Sequence, residues 1–511
     1  MKLIHTTHKR LFHPRKAVAL CGALLIQSLA LVPLQAAPDK KPGDAQINAA
    51  VDKDLLYDSS VNSNGLDVKT TDGIVTLSGT APNILSKERA TMIAESVKGV
   101  RSVVNEIKVQ PGKRADEAVQ KDTDAALLGD PATGSYKIKT AVNDGTATLS
   151  GSVNSWQEKQ LVASVVKGVK GVKEVKNDIT INYKAKRPDT EIAADVKGAL
   201  QRDIWVDDLL IKSSVEGGKV TLTGTVGSAA AKTRAYYDAY VAGATAVDDN
   251  GLNVEAWAKD PMRKASKTTY KTDEEIKKAV QDAFLFDPRV FSFNPVTSVS
   301  YGVVTLTGTV DNLKAKRAAE QDAKNTTGVY GVKNYLRVRG QNPPSDDKIA
   351  QNVKDALFRD PYVDRYEVGV TALNGVVYLT GTVDSYYEKT HAEDVASRVN
   401  GVMNVNNNLS VSYPVYTYSY WPYSYDYYEP YTYWPYGYST WTYKTDSEIK
   451  DDIKSQLFWS PFVDSDEVNV SVRNGVATLT GTVDSWREYR DAAKNGFDGG
   501  ARDVINDLKV K

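Results

Sequence analysis

One pattern recurs six times along this 511-residue chain: a glycine-containing turn, then apolar-Thr/Tyr-Leu-Thr/Ser-Gly-Thr/Ser and a closing Val or Ala. It runs from Asp72-Gly73 to Gly79, Asp144-Gly145 to Gly151, Gly217-Gly218 to Gly224, Tyr301-Gly302 to Gly308, Asn374-Gly375 to Gly381 and Asn474-Gly475 to Gly481. Successive second glycines are 72, 73, 84, 73 and 100 residues apart, so the period is about 73, with additions in the third and fifth intervals. A period of this size demands one small module used repeatedly, and it excludes a single large core.

Each copy has the same flanks. Before the turn lies a helical pattern with apolar positions four apart: Ile192/Val196/Leu200, Ile276/Val280/Phe284, Ile349/Val353/Leu357 and Ile449/Ile453/Leu457. Repeat two is the weakest copy, with Val119/Thr123/Leu127. Thr272 with Glu275 and Thr445 with Glu448 spell capping boxes, and Pro131, Pro288, Pro361 and Pro461 stop the helix. The recurring motif alternates with period two, so Ala477, Leu479, Gly481 and Val483 share one strand face and Val476, Thr478, Thr480 and Thr482 the other. Asn374-Gly375 and Asn474-Gly475 are hairpin turns. The glycine inside the second strand admits a helix at close range or permits a bend. A second helix opens at Ser155, Ser385 and Ser485 with Glu three residues on, and ends at Gly99, Gly171, Gly243, Gly331, Gly401 or Gly500. A short strand through Asn105, Asn177, Asn250, Asn334, Asn407 or Asn506 closes the unit.

The predicted fold class is therefore α+β: tandem two-layer αββαβ domains, each a three-stranded sheet covered on one face by two helices. The strands flanking the second helix run parallel, while strand order stays open. Boundaries fall at 44–110, 114–183, 189–255, 272–339, 345–412 and 445–511, with a charged linker at 256–271 and an insert at 413–443. Units of about 70 residues bury only modest cores, so contacts between repeats are expected to matter.

The unit, with its G-V-x-x-L-T-G-x-V hairpin and its terminal G-V-x-x-V-x-N-x-[IL] strand, resembles the BON domain of osmotically inducible periplasmic and nodulation proteins. Repeats five and six fit best, and repeat three departs at Ala244-Thr245-Ala246. The resemblance implies a periplasmic or outer-membrane-associated protein of a Gram-negative bacterium, linked to osmotic or envelope stress, that binds phospholipid surfaces. It implies no catalytic residue.

Residues 1–36 read as a secretory signal: a basic start, an apolar run from Ala17 to Leu34, then Ala36-Ala37. Removing that segment takes away five basic residues, the only cysteine (Cys21) and three of the four histidines, leaving 59 basic against 64 acidic side chains and His391 alone. Zinc clusters and His-dependent triads cannot be assembled from that inventory, whereas carboxylate chemistry survives it. Asp360, Asp364, Asp464 and Glu488 sit at caps and turns, not as a converging pair, so no enzyme, cofactor or metal site is expected. His391 is expected at the surface.

The insert from Tyr413 to Tyr443 holds 13 Tyr and 3 Trp in 31 residues. Such amphipathic rings suit a linker packed on its neighbours, a lipid headgroup boundary, or a glycan or protein surface. Without accompanying basic residues they do not suit nucleic acid. Candidate membrane or partner contacts are Trp421, Tyr428, Trp434, Tyr436 and Trp441 in the insert, Trp459 and Phe462 where the last first-helix meets its Pro loop, and Trp486 at the start of a second helix. Trp156 and Tyr386 occupy the same helix-opening register, and Lys167, Lys170, Lys173 and Lys176 are candidates for anionic headgroups. The expected function is a non-catalytic periplasmic protein, peripheral to a membrane, binding phospholipid; the alternative is a scaffold for envelope proteins or glycans.

Overall fold

The computed structural model describes residues 42–258, 271–411 and 444–511, apart from loop stretches of one to three residues. The signal segment, most of the linker and the aromatic insert lie outside the described residues. Each repeat contributes two helices. The first helices are α1 (Asp44–Tyr57), α3 (Asp116–Gly129), α5 (Asp189–Arg202), α7 (Asp273–Phe286), α9 (Asp346–Arg359) and α11 (Asp446–Trp459). The second helices are α2 (Ile84–Glu95), α4 (Trp156–Lys167), α6 (Ala229–Asp238), α8 (Leu313–Lys324), α10 (Tyr386–Ser397) and α12 (Trp486–Asp498).

Strand order is now fixed. In repeat six, Val476–Val483 is central, antiparallel to Val468–Arg473 and parallel to Asp503–Val510. Ala477, Leu479 and Val483 are buried under the helices while Thr480 is exposed, as the alternation predicts. The turn residues Asn474 and Gly475 both have positive φ, 52° and 73°, the geometry whose twist matches the flanking strands. The first helix reads this turn directly: both oxygens of Asp446 accept its N–H groups, from Asn474 at 2.8 Å and Gly475 at 2.8 Å. Asp44, Asp116, Asp189, Asp273 and Asp346 hold their own turns in the same way, 28 and 29 residues downstream.

Three local expectations are corrected. The glycine within the second strand faces neither long helix: at Gly481, φ is 127° and an added Cβ would lie 2.1 Å from the carbonyl oxygen of Glu467, which ends a single 3-10 turn (Ser465–Glu467) leading into the first strand. The serines at Ser155, Ser385 and Ser485 do cap their helices, but the partner Glu reaches one residue further back, to the N–H of Asn154, Asp384 or Asp484. In repeat four the left-handed residue after the second helix is Gly328 (φ 89°), not Gly331, which opens the last strand. The boxes at Thr272 and Thr445 close reciprocally.

Repeats are joined by one main-chain hydrogen bond used three times. The residue before the left-handed glycine that follows a second helix donates to the last residue of a first helix: Lys98 to Trp459 at 2.9 Å, Lys170 to Arg359 at 2.7 Å and Thr327 to Arg202 at 2.9 Å. Repeats one and six, two and five, and three and four are thereby paired. Lys53 with Asp452 at 2.8 Å, and Gln456 donating to Asp54 at 2.6 Å, strengthen the first pair. Second helices meet in threes. α2 contacts α4 through Glu88–Lys167 and α6 through Glu95–Thr233, while α8 contacts α10 through Arg317–Glu393 and Lys314–Asp394. Arg490 of α12 donates to Asn325, just past α8, at 2.9 Å. Apolar cores cross the seams as well, for Ala229 of repeat three is buried in the core of repeat one and Ile84 of repeat one in that of repeat two. Small modules thus gain from neighbours the burial they lack alone. Among the described residues no helix is long and apolar enough to cross a membrane.

Candidate functional site

The chemistry at the seams begins with an acid at the end of the first helix: Asp58, Asp203, Asp287 and Asp360, all buried, and Asp130, half-buried. In repeats one, three and five an arginine or histidine side chain 31 residues on meets it from the second helix: Arg89 Nε to Asp58 at 2.8 Å, Arg234 Nε to Asp203 at 2.6 Å and His391 Nε2 to Asp360 at 2.8 Å. His391 is half-buried, stacked on Tyr387 with ring centroids 5.4 Å apart, and the expectation of a surface residue is corrected. Where the second helix offers Leu161 or Ala318 at that register, another arginine substitutes: Arg398 of repeat five acts on Asp130, and Arg289 clamps Asp287 with Nε at 2.9 and 3.0 Å. Burial alone would raise the Asp58 carboxyl, but Arg89 and Lys494 hold it below its usual range. Burial wins at two seam acids with neutral partners, and Asp54 and Glu95 are each pushed up to about 7. Of the arginine and histidine pairings with the helix-end acids, Arg398 with Asp130 spans two repeats, while the others lie within one repeat and brace the end of its first helix. Among the described residues no group of three or more His, Cys, Asp or Glu side chains is placed to hold a metal ion.

The candidate contact residues separate into three sets. Trp421, Tyr428, Trp434, Tyr436, Trp441 and Phe462 lie outside the described residues. Trp459 is half-buried against the core of repeat one, and Trp486 packs on the core shared by repeats four and five, with the Lys324 ammonium 5.6 Å from its ring. Trp156 stacks on Tyr240 of repeat three, centroids 4.3 Å apart. The lysine run is largely engaged: Lys167 pairs with Glu88, Lys173 with Asp144 and Lys176 with Asp178.

One recurring set of exposed apolar side chains sits one residue away from Trp459 and its counterparts at the first-helix end. Each first helix buries a large residue in its last turn, and in five repeats the next side chain points outward: Leu56, Leu128, Leu285, Phe358 and Phe458, between 43% and 76% exposed. Repeat three has Gln201 there. Phe458 stands edge-on to Trp459 and carries the Lys98 ammonium 5.5 Å from its centroid. The signal was available from aligning Leu55-Leu56, Leu127-Leu128, Phe284-Leu285, Leu357-Phe358 and Leu457-Phe458, where the second member exceeds what one helical stripe can bury.

Such a chain is a tandem-repeat α+β protein whose distinctive surface is a set of identically placed apolar tips. It belongs to the BON domain family, whose model matches residues 43–111, 115–183, 188–256, 272–340, 345–413 and 445–511. It is 34% identical over 143 residues to osmotically-inducible protein Y of Escherichia coli, covering 27% of this chain and 71% of that one. Outer membrane lipoprotein DolP of Haemophilus influenzae is 33% identical over 138 residues, covering 26% and 71%. Among solved structures, the type III secretion protein CdsD of Chlamydia trachomatis aligns over 46% of this chain and 97% of its own at 18% identity, with a TM-score of 0.13 that adds nothing to the assignment. The chain is thus a BON-repeat protein related to osmotic-stress and outer-membrane proteins of the bacterial envelope.

Proposed function

We propose that this protein acts without catalysis in the periplasm, peripheral to a membrane, where it supports the envelope under osmotic stress by binding phospholipid surfaces. The observation that carries this reading is the exposure of Leu56, Leu128, Leu285, Phe358 and Phe458 at one register of five first helices. Scattered exposed apolar side chains are ordinary, but recurrence at one register in otherwise polar modules favours a shared contact. Each tip gains at most about 1.5–3 kcal/mol by leaving water, so one alone binds weakly and several engaged together bind usefully. The insert's 13 Tyr and 3 Trp suit the headgroup boundary, and the names of the two relatives place kindred modules at the outer membrane and under osmotic control.

Co-sedimentation with vesicles containing phosphatidylglycerol, against vesicles of phosphatidylcholine alone, tests the reading. The chain is expected to sediment with the anionic vesicles at low salt. Changing the five tips to Ser is expected to weaken that binding at least tenfold, and deleting 413–443 separates the insert's share. No sedimentation of the unaltered protein rejects lipid binding in favour of a protein or glycan scaffold.

A further inference from the structure

The junction between repeats three and four holds two carboxyl groups, each with a buried oxygen that no donor reaches. On the repeat-three side, Arg234 Nε lies 2.6 Å from Asp203 Oδ2 and 3.8 Å from Asp238 Oδ1. The other oxygen of Asp238 is shielded from solvent and has no hydrogen-bond partner. On the repeat-four side, Arg289 is taken up by Asp287, and Asp322 Oδ2 is likewise shielded and without a partner. Each orphan acid lies against the acid its arginine already serves, Asp238 beside Asp203 and Asp322 beside Asp287. Two carboxylates cannot hydrogen-bond to each other, whereas a carboxylic acid donates to a carboxylate.

The same short segments carry the clasp between the repeats. Asp203 and Thr326 form an isolated antiparallel bridge, Ile204 donates to the Asn325 carbonyl at 3.0 Å and Thr327 to that of Arg202 at 2.9 Å. Ile204 stands where four other repeats have proline, which has no N–H to give. The Arg202 guanidinium lies 4.9 Å from the centre of the Phe286 ring across the seam. Beside these segments opens a cavity of about 520 Å³ lined by repeats two, three and four, with Asp203, Asp238, Asp287 and Asp322 among its walls, so the acids have a route to water.

We propose that this junction is a pH-responsive clasp, closed when Asp238 and Asp322 each carry a proton shared with their neighbour and opened as both ionise. The groups acting on Asp238 are Asp203 and Arg202 from α5 and its cap, and Arg234 on its own helix. Asp322 meets Asp287 and Arg289 from the α7 cap and loop, with Arg234 opposite. Arg490 of α12 acts on Arg234 and Asp203, Asp282 acts on Arg202, and Asp394 acts on Arg289. With Asp203 and Asp287 matched by Arg234 and Arg289, ionising both orphan acids adds two negative charges to a buried seam in which Arg202 acts on Asp238 without a direct hydrogen bond and Arg490 faces Asp203. Burial first, then the neighbouring carboxyl, raises both acids well above 3.8. The folded chain therefore binds more protons than the unfolded chain above 3.8, and junction stability falls as pH rises through the folded values.

Hydrogen exchange on the full chain, corrected for the intrinsic rate at each pH, reads the clasp at the amides of Ile204 and Thr327. Between pH 5 and pH 8.5 their corrected exchange is expected to rise at least tenfold, while the central-strand amides of Leu222 and Leu306 stay unchanged. In the double variant Asp238→Asn, Asp322→Asn, whose amides donate as the acids do but cannot ionise, the rise is expected to vanish. Corrected exchange that is flat with pH in the unaltered protein overturns the proposal, as does an undiminished rise in the variant. Should the double variant fail to fold, Asp322→Asn alone must reduce the rise.

Discussion

Asp446 begins a helix, and its carboxylate also receives both N–H groups of a turn 28 and 29 residues away. Charge-assisted hydrogen bonds of this kind are stronger than neutral ones, and the helix N-terminus further favours a negative group there. Asp446→Ala leaves both turn donors without their acceptor and is expected to cost about 2–3 kcal/mol in repeat six, with Asp446→Asn costing about half as much. Denaturant unfolding followed by hydrogen exchange in that repeat measures it; a loss below about 0.5 kcal/mol for Asp446→Ala would show the bonds to be incidental. The turn itself was legible from Asn474-Gly475 because its chemistry is local. Its aspartate was not, since it lies one helix and one strand upstream. The same holds for His391, whose partner Asp360 is 31 residues away: helical periodicity gives its place on the helix but not the acid it meets.

At the scale of the element, the two helices and three strands of each unit were legible from periods of four and two, because the module's interior is apolar and its faces are distinct. Errors arose where one residue could serve two geometries. Gly-Val occurs twice after the second helix of repeat four, at Gly328-Val329 and Gly331-Val332, and the first pair carries the left-handed residue. The strand glycine was understood as a place of close approach, but the approaching atom is a backbone carbonyl. That difference is measurable inside one chain: an added Cβ would lie 2.1 Å from the Glu467 oxygen at Gly481, yet meets nothing closer than 3.9 Å at Gly308, where φ is 120°. Both substitutions carry left-handed strain, of order 1–3 kcal/mol, and only one carries a collision. Gly481→Ala is therefore expected to cost at least about 1 kcal/mol more than Gly308→Ala. Equal costs would remove the collision from the explanation.

Across the whole molecule, the order of repeats does not predict which repeats touch. Every unit presents nearly the same first-helix end and second-helix end, so sequence cannot choose among partners, and the choice falls to departures from the repeat. Ile204 replaces proline and supplies an extra donor to repeat four. Ser460 replaces the buried acid of repeat six, and the register that holds Arg89, Arg234 or His391 in repeats one, three and five there holds Asp491. The candidate surface follows from this closure: Trp459 is drawn into the seam with repeat one, and the neighbouring Phe458 is left outside. Pairing the first repeat with the last is the claim on which that surface depends. Zero-length carbodiimide coupling at a dilution that keeps chains apart, read by mass spectrometry, tests it on the unaltered protein. The expected product joins Lys53 to Asp452, 2.8 Å apart in space and 399 residues apart in sequence, alongside Lys167–Glu88 and Lys314–Asp394. Recovery of the latter two without Lys53–Asp452 would contradict closure and leave the first and last repeats unpaired.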